Sequence, residues 1–300
     1  MNIFVNSALN YTGSKYRLLG QIMPLLPKDS DIFIDLFCGG GSVGINASAK
    51  KIILNDKNTS LTEILRLFQN VNFIKLESEI ESIIDEFSLS KSSQFGYKFY
   101  NADSSSGLGK INKTAFERLK FHYNSNKSAI LLFVLLIFSF NNQIRFNSKG
   151  EFNLPCGKRD FNDKMRKKLR DFVAVLQNKN IEILNFDFRE FYKILDDFSK
   201  QKSFFYIDPP YYLANASYNE NGAWGYKDEK ELLEFLDTLN NKNIKFAFSN
   251  VLYHNEKEHS MLKNWQEKSN YKLHLLNFSY KNCNYQRNKT SSQEVLVTNY

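Results

Sequence analysis

The sequence predicts an α/β fold in which a sheet of about seven strands is split by a mostly helical insertion. Short runs rich in β-branched and aromatic residues occur near both ends of the chain and are absent between Asp56 and Asp187. Because that gap is too long for a loop inside one domain, we expect it to hold helices. The expected strands lie at 32–37, 51–55, 181–186, 204–208, 245–249, 271–278 and 294–299.

Apolar residues repeat at helical spacing in two stretches of the insertion. They are Ile80, Ile83, Ile84 and Phe87 in one stretch, and Met165, Leu169, Phe172, Val173 and Leu176 in the other. The continuous apolar run at 129–138 is shorter than the roughly 18 residues of a membrane span and predicts a buried helix. By contrast, the Ser-, Lys- and Gly-rich segment 88–106 predicts a mobile connection.

Composition favours a basic protein that binds a polyanion. The chain has 40 Lys plus Arg and 32 Asp plus Glu, which gives a formal net charge of +8. Its three cysteines, Cys38, Cys156 and Cys283, are odd in number and lack metal-ligand spacing, which argues against disulfides and zinc. No secretory signal opens the sequence, so we expect a cytoplasmic protein with no membrane partner.

The tetrapeptide Asp208-Pro209-Pro210-Tyr211 is the most informative motif. Two prolines cannot continue the apolar run at 204–207, so the motif lies at the carboxyl end of a strand, where open α/β sheets bind ligands. The Asp208 carboxylate and the Pro209 carbonyl could each accept one hydrogen of an amine on a nucleobase, which frees the nitrogen lone pair for attack. Tyr211 offers a face for stacking that base. The alternative is a strand-ending turn in which Asp208 caps and Tyr211 packs.

A glycine-rich loop follows the first expected strand. It runs from Asp35 to Gly44, and Gly39, Gly41 and Gly44 satisfy the dinucleotide fingerprint. Asp56, after the next strand, is placed to bind two ribose hydroxyls, as in both NAD and S-adenosylmethionine sites. A nicotinamide dehydrogenase is therefore an alternative, but hydride transfer has no use for the tetrapeptide at 208–211.

In their order along the chain, these motifs resemble the Dam-type DNA adenine-N6 methyltransferases (α group, D12 class). Residues 11–15 are similar to the opening element of that family, and 294–300 are similar to its last strand. The resemblance implies a Rossmann-like, S-adenosylmethionine-dependent methyltransferase sheet. It also implies a catalytic domain at 1–60 and 180–300, and a DNA target-recognition domain at 61–179 with a β-hairpin near 140–157.

The resemblance assigns roles residue by residue. The cofactor-binding residues it implies are Tyr11, Lys15, Asp35, Phe37, Gly39, Gly41, Asp56, Asp187, Phe188 and Asp208. The catalytic residues it implies are Asp208, Pro209, Pro210 and Tyr211. The DNA-binding residues it implies are Asn10, Asn141, Gln143, Arg145, Asn147, Pro155, Lys158 and Arg159. Asn10 and Gln143 replace a lysine and a leucine that help members of this family select GATC, so another recognition sequence is open.

The resemblance further implies the reaction and the partners. We expect methyl transfer from S-adenosylmethionine, without a metal, to the exocyclic amine of a flipped adenine in double-stranded DNA. The protein would be encoded by a bacterium or a phage, and a cognate restriction endonuclease would be a functional, not necessarily physical, partner.

Several other readings stay open. The exocyclic amine of cytosine would suit the same two acceptors, and RNA or protein-glutamine methyltransferases carry a related Asn-Pro-Pro-Tyr motif. A DNA-binding module that has lost catalysis is a further alternative. Cys156 follows Pro155, as in cytosine ring-carbon methyltransferases, but the accompanying residues are missing and a packed thiol is expected. We assign no catalytic role to the four histidines.

Overall fold

The structure is a computed structural model that describes residues 4–103, 105–213, 224–254, 257–277 and 292–300. Two compact units are present: one contains Lys15–Lys57 and Asn180–Tyr300, and the other contains Asn58–Lys179 with the residues just before Lys15. We call them the sheet unit and the helical unit. Tyr11 belongs to the helical unit and Lys15 to the sheet unit.

The helices of the described residues fall in both units. They are α1 Leu19–Ile22, α2 Thr59–Asn70, α3 Phe73–Phe87, α4 Ser92–Phe99, α5 Gly109–Ser125, α6 Ala129–Phe138, α7 Asp163–Asn178, α8 Leu195–Ser199, α9 Tyr226–Asn241 and α10 Ser260–Ser269. Short 3₁₀ turns lie at Lys15–Leu18, Met23–Leu25, Gly44–Asn46, Phe140–Asn142 and Phe188–Lys193.

The sheet unit has eight strands in its described residues. They are β1 Ser30–Asp35, β2 Ala49–Asn55, β3 Ile181–Leu184, β4 Ser203–Ile207, β5 Lys245–His254, β6 Lys257–Glu258, β7 Lys272–Leu276 and β8 Ser292–Thr298. Their order is β3-β2-β1-β4-β5-β8-β7, with β6 paired to β5. The first five are parallel, and β8 is antiparallel to both of its neighbours.

Each of the seven predicted runs contains a strand, so the α/β fold class is confirmed. The two-residue β6 was missed, because so short a segment has no periodicity to detect. β5 continues to His254 rather than ending at 249, since its far half pairs with β8. Residue 278, at the end of one predicted strand, lies outside the described residues.

Strand register brings the ends of the central strands to one edge. Asp35 at the end of β1 is level with Leu54 of β2 and with Tyr206 of β4. The chain segments after these three strands therefore start side by side. β4 is buried at all five positions, as expected for a central parallel strand covered on both faces. This edge carries the glycine loop, Asp56 and the 208–211 motif.

The helical unit is built around α6. The predicted buried helix is confirmed at the same bounds, and eight of its residues, from Leu131 to Phe138, are buried. The helices α2, α3 and α5 pack against it, with the Phe68 and Phe133 rings 4.8 Å apart. The two predicted apolar stripes lie on α3 and α7, where their principal residues are buried.

The prediction of a mobile connection at 88–106 is wrong, because that segment contains α4. The start of α4 is bound by Asp160, which is buried. The Asp160 carboxylate accepts hydrogen bonds from Ser90 Oγ at 3.1 Å, Ser92 N at 2.6 Å and Ser92 Oγ at 2.7 Å. Local composition favoured a loop, but a carboxylate distant in sequence supplies the acceptors that order it.

Residues 140–157 reverse direction without forming regular strands. Two isolated antiparallel bridges join Ser139 to Cys156 and Phe146 to Phe152. The chain turns inside the Phe146–Phe152 bridge, where Gly150 N donates to Asn147 O at 2.9 Å. The expected β-hairpin is therefore an irregular one. Asn141 and Asn142 have positive φ angles of 59° and 54°, which interrupts a continuous ladder.

Candidate active site

The glycine loop is held tightly on the strand ends of the sheet unit. Asp35 Oδ2 accepts from Gly44 N at 2.9 Å, and Asp56 Oδ2 accepts from Gly39 N at 3.0 Å. A Cβ atom at Gly44 would lie 2.3 Å from Leu54 Cδ2, so only glycine fits there. Gly41 has φ +75°. The predicted cofactor-binding residues Asp35 and Asp56 therefore also fix the conformation of the loop through hydrogen bonds to its backbone.

Asp35 lies in a concentration of negative charge. It is 2% exposed, and burial together with the charges of Asp208 and Asp56 raises its pKa to about 8, although the Gly44 N–H opposes the shift. A carboxyl group with this pKa carries a proton over much of the neutral range.

Lys15 and Asp208 form an ion pair at the carboxyl end of β4. Lys15 Nζ lies 2.8 Å from Asp208 Oδ2, and the two side chains are 4% and 17% exposed. The same ammonium is 4.8 Å from the centroid of the Tyr211 ring. Burial raises the pKa of Asp208, and the positive charge of Lys15 opposes that increase. Lys15 was predicted to bind the cofactor, and the structure pairs it with Asp208 of the 208–211 motif.

The second oxygen of Asp208 is an acceptor without a donor. Within the described residues, Oδ1 is buried and has no hydrogen-bond partner. Leaving such a group unsatisfied costs about 1–3 kcal/mol, so this position suits a ligand that brings an N–H. An exocyclic amine is a donor of that kind. The site therefore fits the chemistry that the sequence predicted for Asp208.

Two buried polar residues that the sequence analysis missed hold Tyr211. Its hydroxyl lies 3.4 Å from Glu294 Oε2 on β8 and 3.5 Å from Ser249 Oγ on β5. Both partners are buried. The signal in the sequence was slight: Glu294 is an acidic residue at the start of an apolar final strand. Together they fix the ring next to Asp208.

Two of the predicted cofactor-binding residues, Phe37 of the glycine loop and Phe188, contact each other. The Phe37 and Phe188 rings are 5.7 Å apart, but Phe188 is only 2% exposed, so Phe37 is the ring that is partly open. Asp187 caps the following 3₁₀ turn and pairs with Arg189 at 3.0 Å. Tyr11 belongs to the helical unit, and its cofactor role stays a prediction.

Two of the predicted DNA-binding residues, Asn10 and Gln143, form side-chain hydrogen bonds within the helical unit. Asn10 Nδ2 donates to Asn142 Oδ1 at 2.9 Å, and Lys168 Nζ on α7 donates to Asn10 Oδ1 at 2.6 Å. Gln143 Nε2 donates to Thr12 Oγ1 at 3.1 Å. Burial, with the nearby charges of Lys164 and Arg159, lowers the pKa of Lys168 to about 8. Lys168 and Asn142 were not on the predicted list; only the tertiary structure brings them to Asn10.

The other predicted DNA-binding residues lie along the 140–157 segment and just after it. Arg145 Nε donates to Asn153 Oδ1 at 2.8 Å. Asn147 holds the turn, since its Oδ1 accepts from Lys149 N at 2.9 Å and from Glu151 N at 3.0 Å. The remaining ones are exposed: Asn141, Pro155, Lys158 and Arg159.

Cys156 has the properties of a packed thiol. Burial raises its pKa to about 11, so the thiolate that nucleophilic attack needs is scarce near neutral pH.

In the parts of the chain that the structure describes, no group of three or more His, Cys, Asp or Glu could hold a metal ion. Nor does any helix there have the length and apolarity to cross a membrane. Cys283 lies outside the described residues.

Comparison with known proteins decides the family. The D12 class N6 adenine-specific DNA methyltransferase family matches residues 11–288. The chain belongs to this family. Membership implies S-adenosylmethionine as the methyl donor. The orphaned Oδ1 of Asp208 and the glycine loop, which has no room for a side chain at Gly44, fit a nucleobase amine and a closely bound cofactor.

Named relatives of this family cover nearly all of the chain. Modification methylase StsI of Streptococcus sanguinis is 40% identical over 99% of this chain and 43% of its own length. Type II methyltransferase M.FokI of Planomicrobium okeanokoites is 38% identical over 100% of this chain and 43% of its own length. The DNA adenine methylase of Haemophilus influenzae is 26% identical over 81% of this chain and 78% of its own length. The chain thus spans less than half the length of the first two relatives.

Proposed function

We propose that this chain transfers a methyl group from S-adenosylmethionine to the N6 amine of adenine in double-stranded DNA. The observation that carries the proposal is the buried Asp208 Oδ1, which has no hydrogen-bond donor in the described residues and stands at the end of a central strand. Family membership supports the same conclusion.

The reaction needs a better nucleophile than a free adenine amine. Its lone pair is delocalised into the ring, and two acceptors, Asp208 Oδ1 and the Pro209 carbonyl, would draw the nitrogen toward tetrahedral geometry. When bound, the cofactor supplies an electrophilic sulfonium methyl. The amine nitrogen would form the new N–C bond as the C–S bond breaks, the electron pair of that bond would stay on sulfur, and the nitrogen would lose one proton to water. Orientation of this kind can supply about 7 kcal/mol or more of the barrier.

Lys15 would keep the Asp208 carboxylate ionised. Burial and the charge of Glu294 raise the pKa of Asp208 and so favour the protonated form, which is the weaker acceptor, although Tyr211 lowers the pKa. The ammonium at Oδ2 opposes these effects and leaves Oδ1 to the substrate. It also occupies one side of the Tyr211 ring, so a flipped base would stack on the other side.

The cofactor would bind at the glycine loop, with Asp56 toward the ribose and Phe37 toward the adenine ring. The helical unit would be the DNA target-recognition domain. Recognition of the DNA sequence would involve Gln143 and Arg145. A bidentate contact of either side chain with a base is worth about 1–3 kcal/mol of discrimination against other bases. Extruding the adenine costs a few kcal/mol.

The names of the StsI and FokI relatives support a place in a restriction-modification system, with a cognate endonuclease as functional partner in a bacterial cytoplasm.

The test is transfer of labelled methyl groups to unmethylated DNA, followed by digestion to nucleosides and mass analysis. We expect N6-methyl-2′-deoxyadenosine from the parent protein and none from Asp208→Ala. Asp29→Ala is the control, because Asp29 and its partner Lys202 are both on the surface. Methylated cytosine as the product would replace the proposal with the cytosine-amine alternative. Absence of any methylated base would favour an inactive DNA-binding module. Expression in a methylation-free host, with mapping of modified bases, would give the recognition sequence.

A further inference from the structure

Glu229 on α9 is a fully buried carboxylate, 0% exposed, that none of the assignments above uses. Three side chains donate to it. Trp224 Nε1 donates to Oε2 at 2.6 Å, and Asn250 Nδ2 donates to Oε1 at 2.8 Å. His259 Nε2 lies 3.0 Å from Oε1. A buried charge is tolerated when hydrogen bonds compensate for lost water, and this carboxylate meets that condition.

The hydrogen bond at the other ring nitrogen fixes the role of His259. Its Nδ1 accepts from Leu262 N at 3.2 Å, at the start of α10. Because that nitrogen must present a lone pair, the ring proton lies on Nε2 and points to Glu229. His259 is therefore a neutral donor, and all three partners of Glu229 donate.

Two of those donors contact the candidate active site. The Trp224 ring meets Phe37 edge-on, with centroids 5.6 Å apart and an interplanar angle of 85°. The His259 ring is 5.4 Å from the ring of Tyr212, which directly follows Tyr211. The Glu229 carboxylate is thus linked to the partly exposed ring of Phe37 in the glycine loop and to Tyr212, next to the 208–211 motif.

We propose that Trp224 and Glu229 are positioning residues for the adenine ring of the cofactor, acting through Phe37. This inference rests on the proposed function. The hydrogen bond to Glu229 fixes the indole plane, and the perpendicular contact with the indole fixes the plane of Phe37. A ring that is already held in its binding orientation loses less freedom when a flat purine stacks on it. Neither residue touches the reacting atoms, so their effect falls on cofactor binding.

The chain offers a matched control because it has two tryptophans. Trp265 Nε1 also donates to a carboxylate of α9, Asp237 Oδ1, at 2.9 Å. Its ring packs on Phe246 and Tyr271 instead of Phe37. The variants Trp224→Phe and Trp265→Phe therefore lose the same type of hydrogen bond in two different surroundings.

The first measurement is the affinity for S-adenosylmethionine by calorimetry, without DNA. We expect Trp224→Phe to bind about tenfold more weakly and Trp265→Phe to bind as the parent does, since a hydrogen bond to a charged group is lost beside the site only in the former. The fluorescence of Trp265→Phe, which retains Trp224, should respond to S-adenosylmethionine, and that of Trp224→Phe should not. Equal affinity in both variants, or equal weakening in both, would overturn the inference.

Glu229→Gln gives a second measurement. An amide cannot accept from Trp224 and from the His259 and Asn250 donors at once, so we expect weaker cofactor binding, with KM for S-adenosylmethionine raised more than kcat is lowered. If this variant does not fold by circular dichroism, Trp224→Phe decides the matter alone. A parent protein that binds S-adenosylmethionine but methylates no DNA would refute the proposed activity, whereas the binding test of Trp224 would stand.

Discussion

The ammonium of Lys15 lies 2.8 Å from one carboxylate oxygen of Asp208, and the other oxygen has no donor among the described residues. The proposed reaction depends on this geometry, in which one carboxylate oxygen pairs with a cation of the protein and the other can accept a hydrogen bond from the substrate amine. It also makes Lys15 a sensitive point for the pH dependence of the site.

Lys15→Met should therefore shift the pH profile of methyl transfer. Without the ammonium, burial and the charge of Glu294 raise the pKa of Asp208 further, so less carboxylate is ionised at any given pH. We expect kcat to fall about tenfold or more at neutral pH, and the acid limb of the profile to move to higher pH. The measurement is kcat as a function of pH.

Lys202→Met is the control for that variant, because it removes an exposed ion pair with Asp29, which should contribute little. A Lys15→Met protein with reduced kcat but an unmoved acid limb would contradict the electrostatic role of Lys15.

Asp35 should give the fold a pH-dependent stability. Its pKa is raised to about 8 in the native state and is about 4 in an unfolded chain. Between these values the native state binds more protons. The free energy of unfolding therefore decreases as pH rises through this window, by at most about 1.4 kcal/mol per pH unit.

Asp35→Asn should flatten that dependence, as measured by denaturant unfolding without cofactor at several pH values. Asp29→Asn, at an exposed position, should leave the slope unchanged. An equal slope in the parent and Asp35→Asn proteins would show that Asp35 does not hold the extra proton.

Gly44→Ala should destabilise the sheet unit by about 1–3 kcal/mol, since the new methyl group would overlap Leu54. Gly20→Ala is the matched control: it lies in α1 and a Cβ atom there meets nothing within 4 Å. Thermal unfolding of the two variants should differ clearly, with Gly20→Ala equal to the parent or slightly more stable. Similar unfolding temperatures would mean that the loop relaxes around the methyl group.

Lys168 should make DNA affinity depend on pH. Because its pKa is lowered to about 8, the side chain loses charge as pH rises through that value, and attraction to phosphate weakens. Lys168→Arg stays charged, so its affinity for duplex DNA should decline less on the alkaline side. Lys167→Arg, an exposed neighbour paired with Asp171, should behave as the parent does in the same fluorescence anisotropy titration. Identical pH curves for all three proteins would remove Lys168 from the DNA-binding surface.

Sequence reasoning predicted those parts of the fold that have a local signal. The α6 helix was predicted because ten consecutive apolar residues must be buried, and the strands were predicted from short β-rich runs. The prediction for segment 88–106 was wrong because local composition suggests a loop, whereas the Asp160 carboxylate that orders the segment lies far along the chain.

The sequence by itself determined the α/β class, the position of the 208–211 motif after a central strand, and the glycine loop before Gly44, because each depends on residues that are adjacent in the chain. Only the tertiary structure decided that Lys15 pairs with Asp208, that Glu294 reaches Tyr211, and that Glu229 gathers Trp224 and His259. The residues next to a charged or polar side chain in the sequence do not reveal its partner, because the fold decides which strand ends and helices lie close together.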